Sequence, residues 1–346
     1  MLIIRTFIAL SFLAGIASAQ SRAWVLTPSS VLAIDVSRGD VVAQFAASNY
    51  PDFAISQDGK KLFIADRTIT SVDVGSGKIL SRAPNPDAPI YKLPLSVSQM
   101  TASADGSRLY LIKRETRGGN DSTWLMSFNA EKGSFDSARV SLGDRCAGAA
   151  LKLRSPSQLD VVCGGRNTIY VASIGDSGTL ESATHFALPS PPALLLTGQV
   201  HAAGDIRTVI WGQGTDVYLV RLDGRVIHAD TGTRSVVNEG TQPLAFLWTS
   251  NGSGTISGDR RSLFFGCSPL NDYSGLGQYI CEVDANSLSP IRQIKVSHPF
   301  SSIAFLPDSG GLVMTAAGAL IIADEHTLQE KRSLPLPASP SMVRFP

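Results

Sequence analysis

Four cysteines and five histidines are the side chains of this 346-residue chain that most readily bind metals or take part in redox and acid–base chemistry. No two cysteines are spaced as C-x-x-C, and no two histidines as H-x-H or H-E-x-x-H. Nucleophile-elbow, Walker and Rossmann motifs are also missing from the sequence. The sequence therefore predicts no metal and no cofactor of its own.

The carboxylates give no clearer sign of a reaction. Most aspartates fall in short Gly-containing turns, where hydrogen bonds to the turn's own backbone explain them. A general acid–base pair does not stand out from that background. Whether the chain is an enzyme is left open at this point, and a non-catalytic role is favoured.

The first residues have the pattern of a secretory signal peptide. Arg5 is followed by an apolar stretch, 7–16, and by the small residues Ala17-Ser18-Ala19. The alternative is a membrane anchor, but the apolar stretch is short for a bilayer and no second one follows. We expect residues 1–19 to be removed, leaving an exported chain, periplasmic or secreted, that starts at Gln20 and has no membrane anchor.

In an exported chain, an even number of cysteines favours disulfide bonds. We expect pairing between sequence neighbours, Cys146 with Cys163 and Cys267 with Cys281. The runs "SLFFGC" and "QYICEV" are typical of adjacent antiparallel strands, which would bring Cys267 and Cys281 close enough to bond.

Charge and composition limit the kind of partner. Thirty basic and 29 acidic residues give a net charge of +1, so nothing attracts nucleic acid or an anionic membrane. Charged residues make up 17% of the chain, beside 31 Gly and 19 Pro, which is typical of a globule rich in strands and turns. A protein or a small molecule is the expected partner.

A short β unit recurs along the chain. Strand-like runs follow Asp- or Gly-containing turns, and each leads to a second turn that starts with Asp or Asn. The runs are "KLFIA" (61–65), "RLYLI" (108–112), "SLFFG" (262–266) and "GLVMT" (311–315). The second turns lie in 34–40, 72–78, 128–134, 283–289 and 323–329.

The units are about 40–50 residues long and contain four strands, which we call a to d from the centre outward. They predict an all-β fold, a seven-bladed β-propeller that forms one domain, 20–346. "AWVLTPSSVLAIDVSRGDVVAQF" supplies strands b, c and d, and the last residues, "SMVRFP", supply a lone strand a. Pairing them would close the propeller. A pair of β-sandwiches and a β-solenoid are the alternatives. The other blades are expected near 49–86, 95–144, 146–190, 191–237, 238–299 and 300–340.

Three stretches resemble the YVTN-type bacterial propellers, and more specifically the heavy chain of methylamine dehydrogenase. They are "GDRCAGAALKLRSPSQLDVVCGGRNTIYVA" (143–172), "RTVIWGQGTDVYLVRLDGR" (207–225) and "YICEVDANSLSPIRQIKVSHPFSSIAFLPDS" (279–309). The resemblance implies a periplasmic seven-bladed propeller whose quinone cofactor is carried by a separate light chain. This chain differs from that family in its second cysteine pair and in lacking a long N-terminal extension.

The longest and least regular loops of the chain are expected on one face of the propeller. The b–c loops 113–122 and 268–278 and the d–a connection 83–94 should meet at one end of the channel, and functional residues are often found on such loops. The candidate binding residues on this face are Tyr91, Arg114, Arg117, Asp272 and Tyr273.

The functional hypothesis is an exported, non-catalytic propeller that binds a partner or scaffolds an assembly on this loop face. Two alternatives stay open. One is a heavy-chain-like subunit of a quinoprotein amine dehydrogenase, and the other is a propeller lactonase or hydrolase.

Overall fold

The computed structural model contains β-strands joined by turns, with no helix in the part of the chain that it describes. No described segment forms a helix long and apolar enough to cross a bilayer. The described ranges are 22–47, 52–85, 100–117, 120–144, 150–163, 168–187, 199–202, 208–213, 216–221, 226–230, 246–248, 254–269, 276–287, 289–306 and 310–346. Residues 1–21 lie outside them, so signal cleavage stays a prediction.

The strands are numbered in chain order. The first eleven are β1 (Arg22–Leu26), β2 (Ser30–Asp35), β3 (Asp40–Ala46), β4 (Asp52–Ile55), β5 (Lys61–Ala65), β6 (Thr68–Asp73), β7 (Ile79–Pro84), β8 (Met100–Ala102), β9 (Arg108–Arg117), β10 (Asn120–Asn129) and β11 (Ser134–Asp144). The next eight are β12 (Ala150–Ser155), β13 (Gln158–Cys163), β14 (Thr168–Ile174), β15 (Leu180–Ala187), β16 (Gln199–Ala202), β17 (Thr208–Gln213), β18 (Asp216–Arg221) and β19 (Val226–Asp230). The last nine are β20 (Phe246–Trp248), β21 (Gly254–Ile256), β22 (Ser262–Pro269), β23 (Gly277–Asp284), β24 (Pro290–Leu306), β25 (Gly311–Ala316), β26 (Ala319–Asp324), β27 (Glu330–Pro335) and β28 (Met342–Arg344).

The strands form separate antiparallel sheets that follow the chain. Four sheets contain β4–β7, β8–β11, β12–β15 and β16–β19, each in sequence order from one edge to the other. They lie within the ranges expected from the repeat. The unit at 191–237 is formed as expected, with 222–225 between its strands c and d.

Strands β20–β27 form one eight-stranded sheet because β24 is continuous. Its first part pairs with β23 as an outer strand d, and its second part pairs with β25 as an inner strand a. A boundary between two repeats was expected near residue 300, and here the chain crosses it without leaving the ladder. The inner position of the first half is divided between β20 and β21, which both pair with β22.

The two ends of the described chain share a sheet, in the order β28-β1-β2-β3. Val343 of β28 lies opposite Val25 of β1, as the sequence predicted. One face of this sheet packs on β24–β26 through a cluster that includes Leu306 and Val313. The other face packs on β4–β6 through a cluster that includes Trp24 and Phe53.

The c–d turns follow the predicted chemistry. Asp35 Oδ1 accepts the backbone N–H groups of Ser37 (3.0 Å) and Arg38 (3.1 Å), and Asp324 does the same for the two residues that lie two and three positions after it. The Ser37 hydroxyl, aided by the backbone N–H and the guanidinium of Arg38, lowers the pKa of Asp35 to about 2 by stabilising the carboxylate. The corresponding cap residues in the other sheets are Asp73, Asn129 and Asp284.

The a–b turns repeat a second pattern, in which a Ser hydroxyl binds the Asp two residues later. Ser56 donates to Asp58 at 2.6 Å and Ser103 donates to Asp105 at 2.8 Å. The residue after each Asp has positive φ, a conformation that favours glycine, and it is Gly in both of these turns. The third such turn has Arg260 at this place, with φ of 62°.

Arginines tie neighbouring sheets together at the same end of the molecule. In each case the guanidinium donates to the backbone carbonyl of a c–d turn in the next repeat unit. The three pairs are Arg108 with Ser177 (2.9 Å), Arg292 with Glu325 (2.7 Å) and Arg332 with Ser37 (2.9 Å).

The outer strands share an irregularity just after the c–d turn. The ladder shifts by one residue between β2 and β3 at Val42, and between β6 and β7 at Leu80. Similar shifts occur on β15, β24 and β27. A bulge of this kind twists an exposed edge and makes it a poor template for pairing with another chain.

Candidate functional site

The strands end at two faces of the molecule, and the connections between strands differ between the two faces. The turn face carries the a–b and c–d turns, and the loop face carries the b–c and d–a connections. A common level near the loop face can be defined five residues before each Asp or Asn cap. We call this level the rim, and its residues are Ser30, Thr68, Trp124, Tyr279 and Ala319.

In three repeat units the b–c hairpin closes at the rim or one residue below it. These hairpins join β1 to β2, β5 to β6 and β25 to β26. The last b–c pairs are Leu26 with Val31, Ala65 with Ile69 and Ala316 with Ala319. In the sheet β8–β11 the ladder continues beyond the rim, from Lys113 opposite Trp124 to Arg117 opposite Asn120. We call residues 113–124 the first hairpin.

The expectation of an irregular b–c loop at 113–122 is therefore wrong, because most of this segment is paired strand. A polar run can form a solvated hairpin, since the ladder uses main-chain groups whatever the side chains are. The signal was present in the sequence: Gly118-Gly119 are the two residues between Arg117 and Asn120, a spacing and composition typical of a tight hairpin.

The sheet that contains β22 and β23 also extends beyond the rim. Cys267 lies opposite the rim residue Tyr279, and β22 continues to Pro269. We call residues 267–279 the second hairpin. Its inner edge is occupied by β20, whose Trp248 lies opposite Cys267. The expected b–c loop 268–278 is thus partly strand, and 270–275 lie outside the described residues.

A disulfide crosses the base of the second hairpin. Cys267 and Cys281 are bonded, with their Cα atoms 6.1 Å apart, and both side chains are fully buried. This confirms one predicted pair and the adjacent antiparallel strands on which it was based. Cys163 ends β13, but Cys146 lies outside the described residues, so the second pair stays a prediction.

The predicted binding residues are only partly placed. Arg114 and Arg117 lie on β9, in the first hairpin. Tyr91, Asp272 and Tyr273 lie outside the described residues. Of the d–a connection 83–94, Pro84 ends β7 and the chain beyond Asn85 is also outside them. Whether these five residues form one surface stays a prediction.

Aromatic residues mark the rim of both hairpins, and sequence reasoning missed them. The three short hairpins have Ser30, Thr68 and Ala319 at this level, whereas the two long ones have Trp124 and Tyr279. Finding them requires alignment of the units on their Asp or Asn caps, because the residues around them differ from unit to unit.

Trp124 has a defined environment. The guanidinium carbon of Arg139, on β11, lies 4.0 Å from the centre of the indole ring. The indole is partly buried, and its Nε1 is buried without a hydrogen-bond partner. Arg139 is exposed. A cation stacked on an aromatic ring at a surface is a common feature of binding sites.

Polar side chains link the inner strands of consecutive repeat units. Thr255 on β21 accepts the backbone N–H of Phe305 at 2.9 Å, and Ser302 on β24 accepts that of Val343 at 3.4 Å. In β28, the Arg344 guanidinium donates to the carbonyl of Phe53 on β4 and lies over its ring, 4.9 Å from the centre. Each contact satisfies a backbone group at an inner edge.

Arg344 also pairs with Asp52 on β4, with 3.6 Å between Nη2 and Oδ1. Loss of hydration lowers the pKa of Arg344, and the charge of Asp52 opposes that change. Both groups are already committed to the junction of β28 with β4, so their geometry is that of a structural ion pair. Among the described side chains, no three of His, Cys, Asp or Glu come together in a way that could hold a metal ion.

Comparison with known proteins identifies the architecture. No protein-family model and no curated protein sequence matches the chain. Solved structures do match, among them the periplasmic gluconolactonase PpgL of Pseudomonas aeruginosa, with a TM-score of 0.60 and 16% identity over 94% of this chain and 98% of that one.

Two further matches have different roles. The dihydro-heme d1 dehydrogenase NirN matches with a TM-score of 0.56 and 13% identity, over 95% of this chain and 76% of that one. The WD40 repeats of RRP9 match with a TM-score of 0.56 and 16% identity, over 86% and 84%. At these identities a likeness shows the fold alone, and the fold of this chain is a β-propeller.

Proposed function

We propose that this chain is an exported, seven-bladed β-propeller, closed by β28, that binds a partner protein on its loop face as a non-catalytic scaffold. The observation that carries the proposal is the asymmetry of the two faces. Two hairpins extend past the rim on the loop face, each with an aromatic residue at its base, whereas five described c–d turns of the opposite face are short and capped by their own Asp or Asn. Variable segments on a rigid scaffold commonly bind partners.

The seven-blade closure is supported by the packing of the shared sheet. Strand β28 pairs with β1, its Val343 N–H is accepted by Ser302 of the preceding inner strand, and its Arg344 bonds to Phe53 of the following one. A chain that ends at Pro340 would leave this inner position empty. We expect it to melt well below the full-length protein or to aggregate, and an unchanged melting temperature would contradict the closure.

Export is supported by the predicted signal sequence, and a buried disulfide is compatible with it. The intact mass of protein recovered from a bacterial periplasm should correspond to residues 20–346. A retained N-terminus would contradict export.

Partner binding is tested by shortening the first hairpin. Replacement of residues 114–123 by Asn-Gly should leave a two-residue turn at the rim, as in the three short hairpins. We expect this variant to fold and to lose most of its capture of a partner that wild-type protein cross-links in periplasmic extract. The matched control is Asp73→Ala on the turn face, which should keep capture. The opposite result would place the binding surface on the turn face.

The two other hypotheses have separate tests. A heavy-chain-like subunit would require a light chain that carries a quinone, so a quinone stain of the captured partner identifies it. A lactonase would hydrolyse glucono-δ-lactone without any partner. The fold does not choose among the three hypotheses, because the matched structures include enzymes as well as WD40 repeats.

A further inference from the structure

Exposed apolar side chains are concentrated on two outer strands. Among the described residues, five large apolar side chains are exposed, and four of them lie on β3 and β7. The four are Val41, Val42, Ile79 and Leu80. Both strands form the outer edge of their sheets, and these two sheets pack on each other through the cluster that includes Trp24 and Phe53. The four side chains therefore lie on adjacent edges of the outer wall.

The two apolar pairs occupy equivalent places in the repeat. In both strands the first residue of the pair lies opposite the residue that precedes the Asp cap, and the second is the extra residue of the bulge. In β27 the same two places hold Glu330 and Lys331, although β27 is also an outer strand. The repeat therefore does not require apolar residues here, and neighbouring exposed apolar residues commonly mark an interaction surface.

A charged residue precedes each apolar pair, and the two charges are opposite. Asp40 comes directly before Val41, and Lys78 comes directly before Ile79. Both charged side chains are exposed, and neither takes part in an ion pair with another described residue. One outer strand thus presents an acid beside an apolar pair, and the adjacent one presents a base beside an apolar pair.

A surface that carries both halves of a complementary pair is suited to binding a second copy of itself. In a two-fold symmetric contact, residue i of one copy contacts residue j of the other, and j contacts i. When β3 of one copy faces β7 of the other, Asp40 meets Lys78 in two places, and the apolar pairs pack on each other in two places. The net charge of +1 gives little repulsion between copies.

We propose that this chain forms a two-fold symmetric dimer through the outer strands β3 and β7. Side chains make the contact, because the bulges make both edges poor templates for a shared ladder. The apolar pairs are removed from water, and the pairing of Asp40 with Lys78 fixes the orientation of the two copies. The contact lies directly after the c–d turns, so it is independent of the function proposed for the loop face.

Sedimentation equilibrium of the mature full-length protein, at concentrations up to about 100 μM, tests the dimer. We expect an equilibrium between monomer and dimer. Leu80→Asp places a carboxylate in the apolar contact and should raise the dissociation constant at least about tenfold. Ile291→Asp is the matched control, because Ile291 is 44% exposed and Leu80 42%, and Ile291 lies on β24, in another sheet. This control should dimerise like wild type.

Charge reversal tests the pairing itself. Asp40→Lys and Lys78→Asp should each raise the dissociation constant about tenfold, because each brings like charges together. An equimolar mixture of these two variants should form a heterodimer, since both of its ionic contacts then join opposite charges. The double variant, Asp40→Lys with Lys78→Asp, should dimerise like wild type for the same reason. All variants should melt within a few degrees of wild type.

A protein that stays monomeric up to about 100 μM would overturn the inference. A dimer that Leu80→Asp and Ile291→Asp weaken equally, or that neither weakens, would also overturn it. If the mixture and the double variant dimerise as poorly as the single charge variants, β3 does not face β7 across a two-fold axis. Should Leu80→Asp fail to fold, the charge-reversal variants decide the question, because they change only exposed polar side chains.

Discussion

The turn face and the loop face of this propeller are built by opposite strategies. On the turn face the same chemistry recurs: an Asp or Asn caps each of five c–d turns, and arginines donate to the turns of the next sheet. On the loop face the hairpins differ in length and in their rim residues. The repeated turns can hold neighbouring sheets in place, which leaves the hairpins of the opposite face free to vary in length.

The largest effect on stability is expected on the loop face, at the disulfide below the second hairpin. The double substitution Cys267→Ala with Cys281→Ala removes a buried cross-link between residues 14 apart in the sequence. The free energy of unfolding should fall by about 3 kcal/mol. Urea unfolding of the wild type and the variant, both without reductant, measures it. A loss below about 1 kcal/mol would mean that the ladder alone holds this hairpin.

The next effect concerns how tightly the turn face is packed. Gly106 has φ of 66°, and a Cβ there would lie 2.8 Å from Cβ of Lys61 in the preceding sheet. Gly106→Ala should cost about 2–3 kcal/mol, because steric overlap adds to the strain of the left-handed backbone. Gly77→Ala is the matched control: φ is 69° and the space is open. It should cost about 1 kcal/mol, and equal losses at the two sites would contradict close packing of the turns.

Acid should weaken the turn face selectively. Hydrogen bonds from serine hydroxyls and turn N–H groups lower the pKa of Asp35 to about 2, and related bonds lower the pKa of Asp73 and Asp259. Because the folded-state pKa lies below the ordinary value, this stabilisation is complete above about pH 4 and is lost as the pH falls toward 2.

Urea midpoints measured from pH 6 to pH 2 should therefore decline in that window. Asp35→Asn keeps a capping side chain, as Asn129 shows in a sister turn, and it should flatten part of the decline. A decline unchanged by this substitution would assign the acid sensitivity to other carboxylates.

Arg260 offers a small effect in the opposite direction. It has φ of 62° at the turn position that is Gly59 and Gly106 in the equivalent turns. Arg260→Gly relieves backbone strain but increases the entropy of the unfolded chain, so the two contributions largely cancel. The free energy of unfolding, measured by thermal melting, should change by no more than about 0.5 kcal/mol. A large loss would mean that the arginine side chain is important for the turn.

The smallest effect on stability is expected for loop-face tyrosines. Tyr91→Ala with Tyr273→Ala should change the free energy of unfolding by less than about 0.5 kcal/mol, because the sequence predicts both residues in surface loops, where substitutions usually contribute little. Capture of the partner should nevertheless weaken, since buried aromatic anchors commonly dominate binding. Unchanged capture in this double variant would exclude the two tyrosines as anchors and leave Arg114, Arg117 and Asp272 as the remaining predicted binding residues on this face.

The turns and the strand runs could be predicted from the sequence because each depends on local chemistry. Asp or Asn at a fixed place caps its own turn, and a short apolar run rich in aromatic and β-branched residues, such as that of "KLFIA", favours a strand. The Cys267–Cys281 bond followed from the same reasoning, since its two strands are neighbours in the chain.

The remaining features depend on what lies across the ladder. The first hairpin was read as a loop because its residues are polar, although backbone pairing does not need apolar side chains. The continuity of β24 was missed because the repeat pattern predicted a boundary between two units near residue 300. The contact of Trp124 with Arg139 was not predicted, because Arg139 lies fifteen residues later and on another strand.

The unbroken strand β24 also bears on how such a chain can change by duplication or deletion. Between other repeat units, recombination can occur within the connection that joins the outer strand d of one unit to the inner strand a of the next. A unit is then gained or lost, and both products keep whole strands. Between the last two repeats there is no connection to cut, because residues 290–306 belong to one strand. These two repeats should therefore be inherited together, as a double unit.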